Sequence, residues 1–241
     1  MKILIVPARS GSKRIKDKNI KIINNKPMLI HSLQIAKKTG LFDKIHLSTD
    51  SDKYIRIANS YGFKTDFKRE KKLSDDNTPV LKAVRSDLKK FFELGYEFSE
   101  VCVLSATSPL LNFKDLIKTR KIFCKFHKKF PVASVARYPA KIERGMKIKN
   151  GKLKFINRKN ILKKTQTFSE SYYPTGNIFY SSSEKLIKTK HYNFNYIPYM
   201  IETFRAIDID NTDDLKLTKK IYKLLWKVFG LDGCSPILKL I

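Results

Sequence analysis

The chain has 241 residues, of which 42% are hydrophobic, and its 50 Lys and Arg against 22 Asp and Glu give a formal net charge of +28. The apolar fraction excludes a fully disordered chain. No apolar run approaches the ~20 residues that cross a bilayer, which excludes a membrane-spanning helix. We expect a single domain over residues 1–241, since a chain of this size buries a full core.

The charge does not by itself indicate nucleic acid. Forty of the basic residues are lysines spread along the chain and ten are arginines, whereas base-reading surfaces usually depend on the planar guanidinium group. We therefore expect no nucleic-acid partner, although a basic nucleic-acid-binding protein stays open as the alternative from another functional class. Either way, the charge attracts anionic ligands.

Three scattered cysteines, Cys102, Cys124 and Cys234, show neither metal spacing nor a pairing pattern. The apolar part of the N-terminal segment is too short for a secretory signal peptide. Both features favour a cytoplasmic protein with reduced thiols and no membrane partner.

Strands and helices alternate through the first half of the chain, which predicts βαβ units, a mostly parallel sheet and an α/β fold. Strands are predicted at Lys2–Val6, Lys44–Thr49, Phe63–Phe67, Glu100–Ser105 and Val132–Ala136. Helices are predicted from Pro27 to Gly40 and at Asp52–Tyr61, Pro79–Phe92 and Phe113–Phe126.

The pattern changes after Arg137. Residues 138–173 are basic and irregular, with a hairpin predicted at Lys149–Gly151, and we interpret them as an insertion that leaves the main sheet. The chain then returns with a strand at Asn177–Ser181, extended segments at Tyr196–Met200 and Arg205–Ile209, and a helix at Asp213–Phe229 that buries Trp226. No role is assigned to residues 231–241.

The strongest functional motif is the basic loop Pro7–Asn19, which directly follows the first strand. In an open α/β sheet, ligands bind beyond the carboxyl ends of the strands, where this loop must lie. The glycine permits a close backbone approach to phosphate, the cations neutralise charge and the polar side chains donate hydrogen bonds. The candidate phosphate-binding residues are Arg9, Gly11, Ser12, Lys13, Lys18 and Asn19. The alternative is a solvated basic loop.

Three polar segments follow other strands or precede a helix. Asp50 either caps the helix from Asp52 or faces a ligand. Thr78, with Pro79 at the first helical position, either caps the next helix or contacts a base or ribose together with Ser74 and Asp76. Ser105 and Thr107 supply hydroxyls at the carboxyl end of the central strand.

Asp208 and Asp210 are separated by one residue in an extended segment, so both carboxylates point to the same face. Two such charges need a counter-charge, or one carboxylate takes a proton. A divalent cation is the natural solution, since Mg²⁺ is typically held by one or two carboxylates plus phosphate oxygens. The alternative for Asp210 is a cap on the last helix. A basic loop with an acidic pair, and no dedicated nucleophile, indicates direct displacement at the phosphorus of a nucleoside triphosphate.

Taken in order, these motifs resemble the acylneuraminate cytidylyltransferases, from Met1 to about Leu225. The motifs that carry the resemblance are Val6–Asn19, Ser48–Asp50, Leu73–Pro79, Thr107–Leu110 and Asp208–Asp210. The resemblance implies a Rossmann-like domain that transfers CMP from CTP to an acidic nine-carbon sugar and releases pyrophosphate. It implies a CTP-binding loop with Arg9 and Lys18 as catalytic groups, Asp208 and Asp210 as Mg²⁺ ligands, and a base and ribose site around Ser74, Asp76 and Thr78.

The resemblance leaves the sugar open. Ser105 stands where sialic acid members usually have Gln, and Ser134–Pro139 with Arg144 and Gln166 is similar to the pseudaminic acid branch. By contrast, Pro174–Tyr180 is similar to the sialic and legionaminic pattern. The sugar-site candidates are Lys141, Arg144, Gln166 and Asn177. A cytidylyltransferase for the eight-carbon acid Kdo is the alternative within the fold.

The resemblance also implies a homodimer in which the insertion, about residues 138–173, is a dimerisation arm. Its apolar residues need a partner surface, and a closed two-fold dimer is the commonest way to cover such a patch. We expect the arm to approach the neighbouring sugar site, with Arg144 or Lys164 serving the other subunit.

Overall fold

The computed structural model describes residues 1–189 and 195–229. Strands in these ranges are β1 Lys2–Pro7, β2 Ile22–Ile23, β3 Lys26–Pro27, β4 Lys44–Ser48, β5 Glu100–Leu104, β6 Val132–Arg137, β7 Met146–Lys149, β8 Lys152–Phe155, β9 Tyr172–Ser182 and β10 Ile197–Met200. The helices are α1 Met28–Lys38, α2 Asp52–Ser60, α3 Val80–Glu93, α4 Phe113–Lys125, α5 Ser183–Lys188 and α6 Thr212–Phe229.

A six-stranded sheet in the order β10-β6-β9-β5-β1-β4 forms the centre of the molecule. Strand β1 is parallel to β4 and β5, and β10 is parallel to β6. Strand β9 is antiparallel to both of its neighbours. The predicted α/β fold with a mostly parallel sheet is confirmed, and the carboxyl ends of β1, β4 and β5 share one edge.

The core lies on both faces of this sheet because side chains alternate along each strand. Leu4 and Val6 pack with α1 and α4 on one face, whereas Ile3 and Ile5 pack with α3 on the other. The central strand β5 is buried at every residue, as expected for a strand covered by helices on both faces. Layers of helices on each side therefore hold the carboxyl edge rigidly.

The strand predicted at Phe63–Phe67 is absent, and the segment is a loop. Gly62 ends the preceding helix with φ +79°, and the amide of Phe63 donates to the Ala58 carbonyl instead of to a strand. Phe63 packs into the core on one face, and Phe67 packs against His46 and Phe91 on the other. The apolar residues that suggested a strand are thus buried without pairing.

Residues Thr203–Arg205 form a 3₁₀ turn, and residues 206–209 of the segment predicted as extended belong to no strand. Three other features differ from the prediction. Strand β9 begins five residues before the predicted Asn177, and helix α5 and the β2–β3 hairpin were not predicted. The predicted burial of Trp226 and the tail 231–241 lie outside the residues whose side chains are described.

The predicted hairpin around Lys149–Gly151 is confirmed. Within residues 1–189 and 195–229, strands β7 and β8 pair with each other and with no other strand, and Asn150 and Gly151 have φ values of +52° and +70°. Positive φ at both central residues is the requirement of a tight two-residue turn. Residues 138–171, which we call the arm, therefore leave the main sheet at the end of β6 and return at β9. Among the described residues, no helix has the length and apolar character to cross a membrane.

Candidate active site

The basic loop is held at its start by Asp50, at the end of the neighbouring strand. The Asp50 carboxylate accepts hydrogen bonds from the Ser10 amide at 2.8 Å and from the Ser10 hydroxyl at 2.7 Å. The cap of α2 is Ser51, whose hydroxyl accepts from the Tyr54 amide. The cap predicted for Asp50 is therefore wrong, and Asp50 instead fixes the loop to the sheet edge.

A cavity of about 520 Å³ lies between this loop and the segment that precedes α3. Four cationic side chains of the loop line it, together with hydroxyl, amide and apolar groups from the surrounding elements. The lining residues are Pro7, Arg9, Ser12, Lys13, Arg14, Lys18, Asn19, Arg69, Leu73, Asp76, Thr78, Val80, Ala83, Ser105 and Thr107. Such a concentration of positive charge suits a polyanion.

Asp76 links the two sides of the cavity. Its two carboxylate oxygens each lie 2.6 Å from a loop cation, Arg9 on one side and Lys13 on the other. The hydrogen bonds from Lys13 and then Arg9 lower the pKa of the Asp76 carboxyl. Phosphate oxygens make the same kind of charge-assisted bonds with these two side chains.

The acidic segment Asp208–Asp210 meets the loop from the other side. The Lys18 ammonium donates to the Ile209 carbonyl at 2.6 Å and lies 3.4 Å from the Asp210 carboxylate, and Arg14 lies 2.7 Å from the same oxygen. Beneath them, Ile209 is fully buried in an apolar cluster that includes Ile15 of the loop. Loop and acidic segment are thus held by a shared core.

Asp210 does not cap the last helix. The Asn211 side chain accepts from the amides of Asp213 and Asp214, and the Asp214 carboxylate accepts from the amides of Asp210 and Asn211. This reciprocal pattern is a capping box that occupies Asn211 and Asp214. The Asp210 carboxylate stays available to the cations and to a metal.

The two carboxylates fit Mg²⁺. Asp208 keeps an exposed surface, yet the protein around it raises the pKa of its carboxyl by desolvation, and the Asp210 charge raises it further. A divalent cation relieves this repulsion. Within residues 1–189 and 195–229 no group of three or more His, Cys, Asp or Glu could hold a metal. A pair is nevertheless sufficient for Mg²⁺, which takes its remaining ligands from phosphate and water.

The family of the chain follows from comparison with known proteins. Residues 3–227 match the family model described as cytidylyltransferase. The chain belongs to the cytidylyltransferase family. A pseudaminic acid cytidylyltransferase of Campylobacter jejuni subsp. jejuni serotype O:23/36 is 32% identical over 92% of this chain and 96% of its own length. A CMP-N,N'-diacetyllegionaminic acid synthase of Legionella pneumophila is 27% identical over 93% of this chain and 97% of its own length.

A solved structure shares the fold of this cytidylyltransferase. The CMP:2-keto-3-deoxy-manno-octonic acid synthetase complexed with CTP superposes with a TM-score of 0.71, covers 92% of this chain and 98% of its own, and is 14% identical. At that identity the likeness establishes a common architecture and nothing about the sugar.

The cytidylyltransferase brings most of the predicted nucleotide residues into one cavity. Two stay outside its lining: Gly11, whose carbonyl accepts from Arg9, and Ser74, whose hydroxyl donates to the Glu70 carbonyl. A Cβ on Gly11 would meet the Arg9 guanidinium at an ordinary 3.5 Å, and the close approach to phosphate predicted for this glycine stays a prediction. The capping alternative for Thr78 is wrong: Pro79 occupies the N-cap position of α3 without a side-chain cap, and the Thr78 side chain bonds Asp75.

Three predicted sugar residues lie away from that cavity. Lys141 and Arg144 line a second cavity of about 520 Å³ inside the arm, where the Arg144 guanidinium donates to the carbonyls of Ile161 and Lys163. Gln166 is exposed on a 3₁₀ turn of the arm. No residue lines both cavities.

Asn177 is buried on β9 beside the carboxyl end of β5. Its side-chain amide donates to the Ser108 hydroxyl at 2.7 Å, and its backbone carbonyl accepts from the backbone amide of Ser105. The pairing of β6 and β9 is irregular between Ala133 and Val135, next to this point. The regular pairing of β9 with β5, in which Leu104 lies opposite Ile178, brings Asn177 next to the loop that follows β5.

Arg69 is the main residue that the sequence analysis missed. It lines the cavity and is only 6% exposed, and its guanidinium donates to the Ser48 hydroxyl at 2.9 Å and to the Ser48 carbonyl at 2.8 Å. Ser48 in turn donates to the buried Asp87 carboxylate. One signal was available: three of the ten arginines, Arg9, Arg14 and Arg69, line this one cavity in a chain that otherwise uses lysine.

Proposed function

We propose that this protein is a Mg²⁺-dependent enzyme that transfers CMP from CTP to an acidic nine-carbon sugar and releases pyrophosphate. The observation that carries the proposal is the contact of Lys18 and Arg14 with the acidic segment at Asp210. This contact supports the proposal because it joins the cationic loop that lines the cavity to the two carboxylates that we propose as Mg²⁺ ligands, although neither carboxylate is itself in the cavity lining.

The loop cations hold and neutralise the triphosphate. The oxygen of the sugar hydroxyl bonds to the α-phosphorus and its proton passes to solvent, while the bond from that phosphorus to the bridging oxygen breaks and pyrophosphate leaves with the electron pair. Arg9 and Lys18 stabilise the negative charge that develops on the phosphate oxygens, a role that fixed cations fill best in a preorganised site. The chain supplies position and charge, and no covalent intermediate is needed.

Asp208 and Asp210 would hold Mg²⁺ beside the triphosphate. The ion would polarise phosphate oxygens as a Lewis acid. The residues Arg14 and Lys18, which contact Asp210, would then turn toward phosphate, since the ion takes over the neutralisation of the carboxylate.

For the sugar we propose a nonulosonic acid: pseudaminic, legionaminic or N-acetylneuraminic acid. The relatives named for pseudaminic and diacetyllegionaminic acid both match over nearly their whole length. Asn177 lies at the nucleotide edge, while Lys141, Arg144 and Gln166 belong to the arm. We assign the sugar carboxylate to Lys141 and Arg144, whose cavity carries cationic groups.

The enzyme is proposed to be a homodimer in which the arm of one subunit completes the sugar site of the other. Two observations support this: the arm has its own cationic cavity, and large apolar side chains such as Ile148 and Leu162 are 75% and 96% exposed. The unpaired thiols, with Cys102 buried and Cys124 half-buried, accord with the proposed cytoplasmic location.

A panel assay tests this function. Pyrophosphate release is measured with CTP and Mg²⁺ against pseudaminic, legionaminic, N-acetylneuraminic and Kdo acids, each also with UTP and with EDTA as controls. We expect turnover with at least one nine-carbon acid, dependence on CTP and loss in EDTA. Turnover with Kdo alone, or with none of the sugars, would contradict the proposal.

A further inference from the structure

Asp17 has an unusual backbone conformation at a decisive place in the loop. Its φ and ψ are 56° and 38°, the left-handed region, which non-glycine residues seldom adopt and which Asp and Asn tolerate best. The next two residues, Lys18 and Asn19, both line the cavity. The conformation of Asp17 therefore sets the direction from which these two side chains enter the site.

The side chain of Asp17 is bound to helix α2 and makes no cap on the turn that follows it. The Tyr54 hydroxyl donates to one carboxylate oxygen at 3.2 Å, and the Lys53 ammonium lies 2.7 Å from the other. Tyr54 is fully buried in the core between the sheet and the helices. Its hydroxyl is thus a fixed point to which the loop is attached.

The start of α2 holds both ends of the loop. Asp50, just before the helix, bonds Ser10, and Lys53 and Tyr54, in its first turn, bond Asp17. The chain between Ser10 and Asp17 is then closed against a single rigid element. Neither Asp17 nor Tyr54 lines the cavity, so neither is placed to touch the nucleotide.

We propose that Asp17 is a positioning residue: held in the left-handed conformation by Tyr54 and Lys53, it orients Lys18 and Asn19 toward the triphosphate. The proposal rests on the proposed function, because the triphosphate is that of CTP. Loss of the attachment weakens CTP binding and leaves the sugar site unchanged.

Calorimetric CTP binding and steady-state kinetics test this with four variants. In Asp17→Gly the backbone conformation stays accessible but the attachment is lost, and we expect CTP to bind about 10-fold more weakly, since small misplacements of a binding group cost one to two orders of magnitude. Asp17→Ala loses the attachment and also disfavours the left-handed conformation, so it should bind CTP more weakly than Asp17→Gly. Asp17→Asn keeps an acceptor and tolerates the conformation, so it should stay within about 3-fold of the wild type. Tyr54→Phe removes one hydrogen bond and should weaken binding by about 3-fold.

Lys68→Ala is the matched control. Lys68 forms a 2.6 Å ion pair with Asp52 on the same helix and is not itself a lining residue of the cavity, so CTP binding should change by less than about 2-fold. KM for the sugar should not change in any variant, and thermal unfolding midpoints identify variants that are merely less stable. CTP binding by Asp17→Gly equal to that of the wild type would overturn the proposal. Absence of CTP binding by the wild-type chain would instead overturn the proposed function, and this proposal with it.

Discussion

The loop edge of the sheet and the arm organise charged residues in opposite ways. At the loop edge, Asp17 accepts a hydrogen bond from the buried Tyr54, and Lys18 donates to the carbonyl of the buried Ile209. Asp50, just after β4, accepts from Ser10 of the loop. In the arm, every residue of strands β7 and β8 except the half-buried Phe155 is exposed. The proposed nucleotide side is therefore built on the core of the main domain, whereas the proposed sugar side lies on a segment whose apolar residues are not buried.

The largest effect is expected from the acidic pair at the loop edge. Asp210→Asn or Asp208→Asn should lower kcat by about 100-fold or more, because metal-held charge stabilisation is worth several kcal/mol. Folding should survive, as Asp208 is exposed and Asp210 half-buried. Pyrophosphate release over a Mg²⁺ titration measures the loss. Asp213→Asn, an exposed acid three residues further along the chain, serves as the control. Near-normal activity of both pair variants would refute the metal assignment.

A buried ion pair below the same edge should give the largest loss of stability. Arg205 and Asp115 are in direct contact with side chains only 12% and 4% exposed, and Arg205 also donates to the Leu110 carbonyl. Breaking such a pair by Arg205→Met leaves an uncompensated carboxylate and should lower the free energy of unfolding by about 3–5 kcal/mol. Urea denaturation measures the change.

An exposed ion pair at the base of the arm is the control for the buried pair Arg205–Asp115. Arg137, the last residue of β6, and Glu170 of the arm lie 2.6 Å apart but are 60% and 48% exposed. Arg137→Met should lower the free energy of unfolding by less than about 1 kcal/mol. If both variants lost the same free energy of unfolding, the arm would be as tightly packed against the domain as the loop edge is.

The sequence predicted the buried strands and helices of the main sheet better than it predicted the loops between them. Alternating apolar runs predicted β1, β4, β5 and the helices between them, since burial on both faces leaves a clear pattern. The strand predicted at Phe63–Phe67 was wrong because aromatic residues can also be buried in a loop whose amides form hydrogen bonds outside any sheet. Single motifs predicted the loop cations and the acidic pair, because their chemistry is local.

What the sequence could not show depends on contacts between distant segments. Asp50 bonds Ser10 forty residues away, and Arg69 bonds Ser48 across a loop. The antiparallel direction of β9 likewise follows from the arm, which returns the chain to the sheet at the end where β6 stops, so that Tyr172 lies opposite Arg137.

A smaller loss of stability is expected at low pH from Glu100, which begins β5 at the edge of the sheet opposite the loop. Burial would raise the pKa of Glu100, but hydrogen bonds from Lys128, Tyr180 and Arg120 lower it to about 2. A carboxyl whose folded pKa lies below its unfolded value of 4.5 stabilises fully above about pH 4.5 and loses that contribution as the pH falls toward about 2. The contribution at neutral pH is up to about 3 kcal/mol.

Glu100→Gln isolates that contribution. Denaturant unfolding of both proteins at pH 7 and pH 3 should show a gap in stability at pH 7 that narrows at pH 3. At pH 3 the carboxyl is protonated in the unfolded chain but still mostly ionised in the folded protein, so part of its contribution to stability is lost. A gap that is the same at both pH values would show that Glu100 is not titrating in this window. The same comparison made with Glu170→Gln in the arm should show little gap at either pH, because that carboxylate is exposed.

The smallest effect on stability is expected from the exposed apolar residues of the arm, and it separates folding from assembly. Ile148→Ser and Leu162→Ser remove side chains that are 75% and 96% exposed, so the free energy of unfolding of a single subunit should change by less than about 0.5 kcal/mol. If the arm packs on a second copy, the same changes bury a polar group in the interface. Light scattering should then fall from twice 28.1 kDa toward 28.1 kDa. A wild-type monomer that stays fully active on dilution would refute the dimer, and with it the assignment of Lys141 and Arg144 to the sugar of the neighbouring subunit.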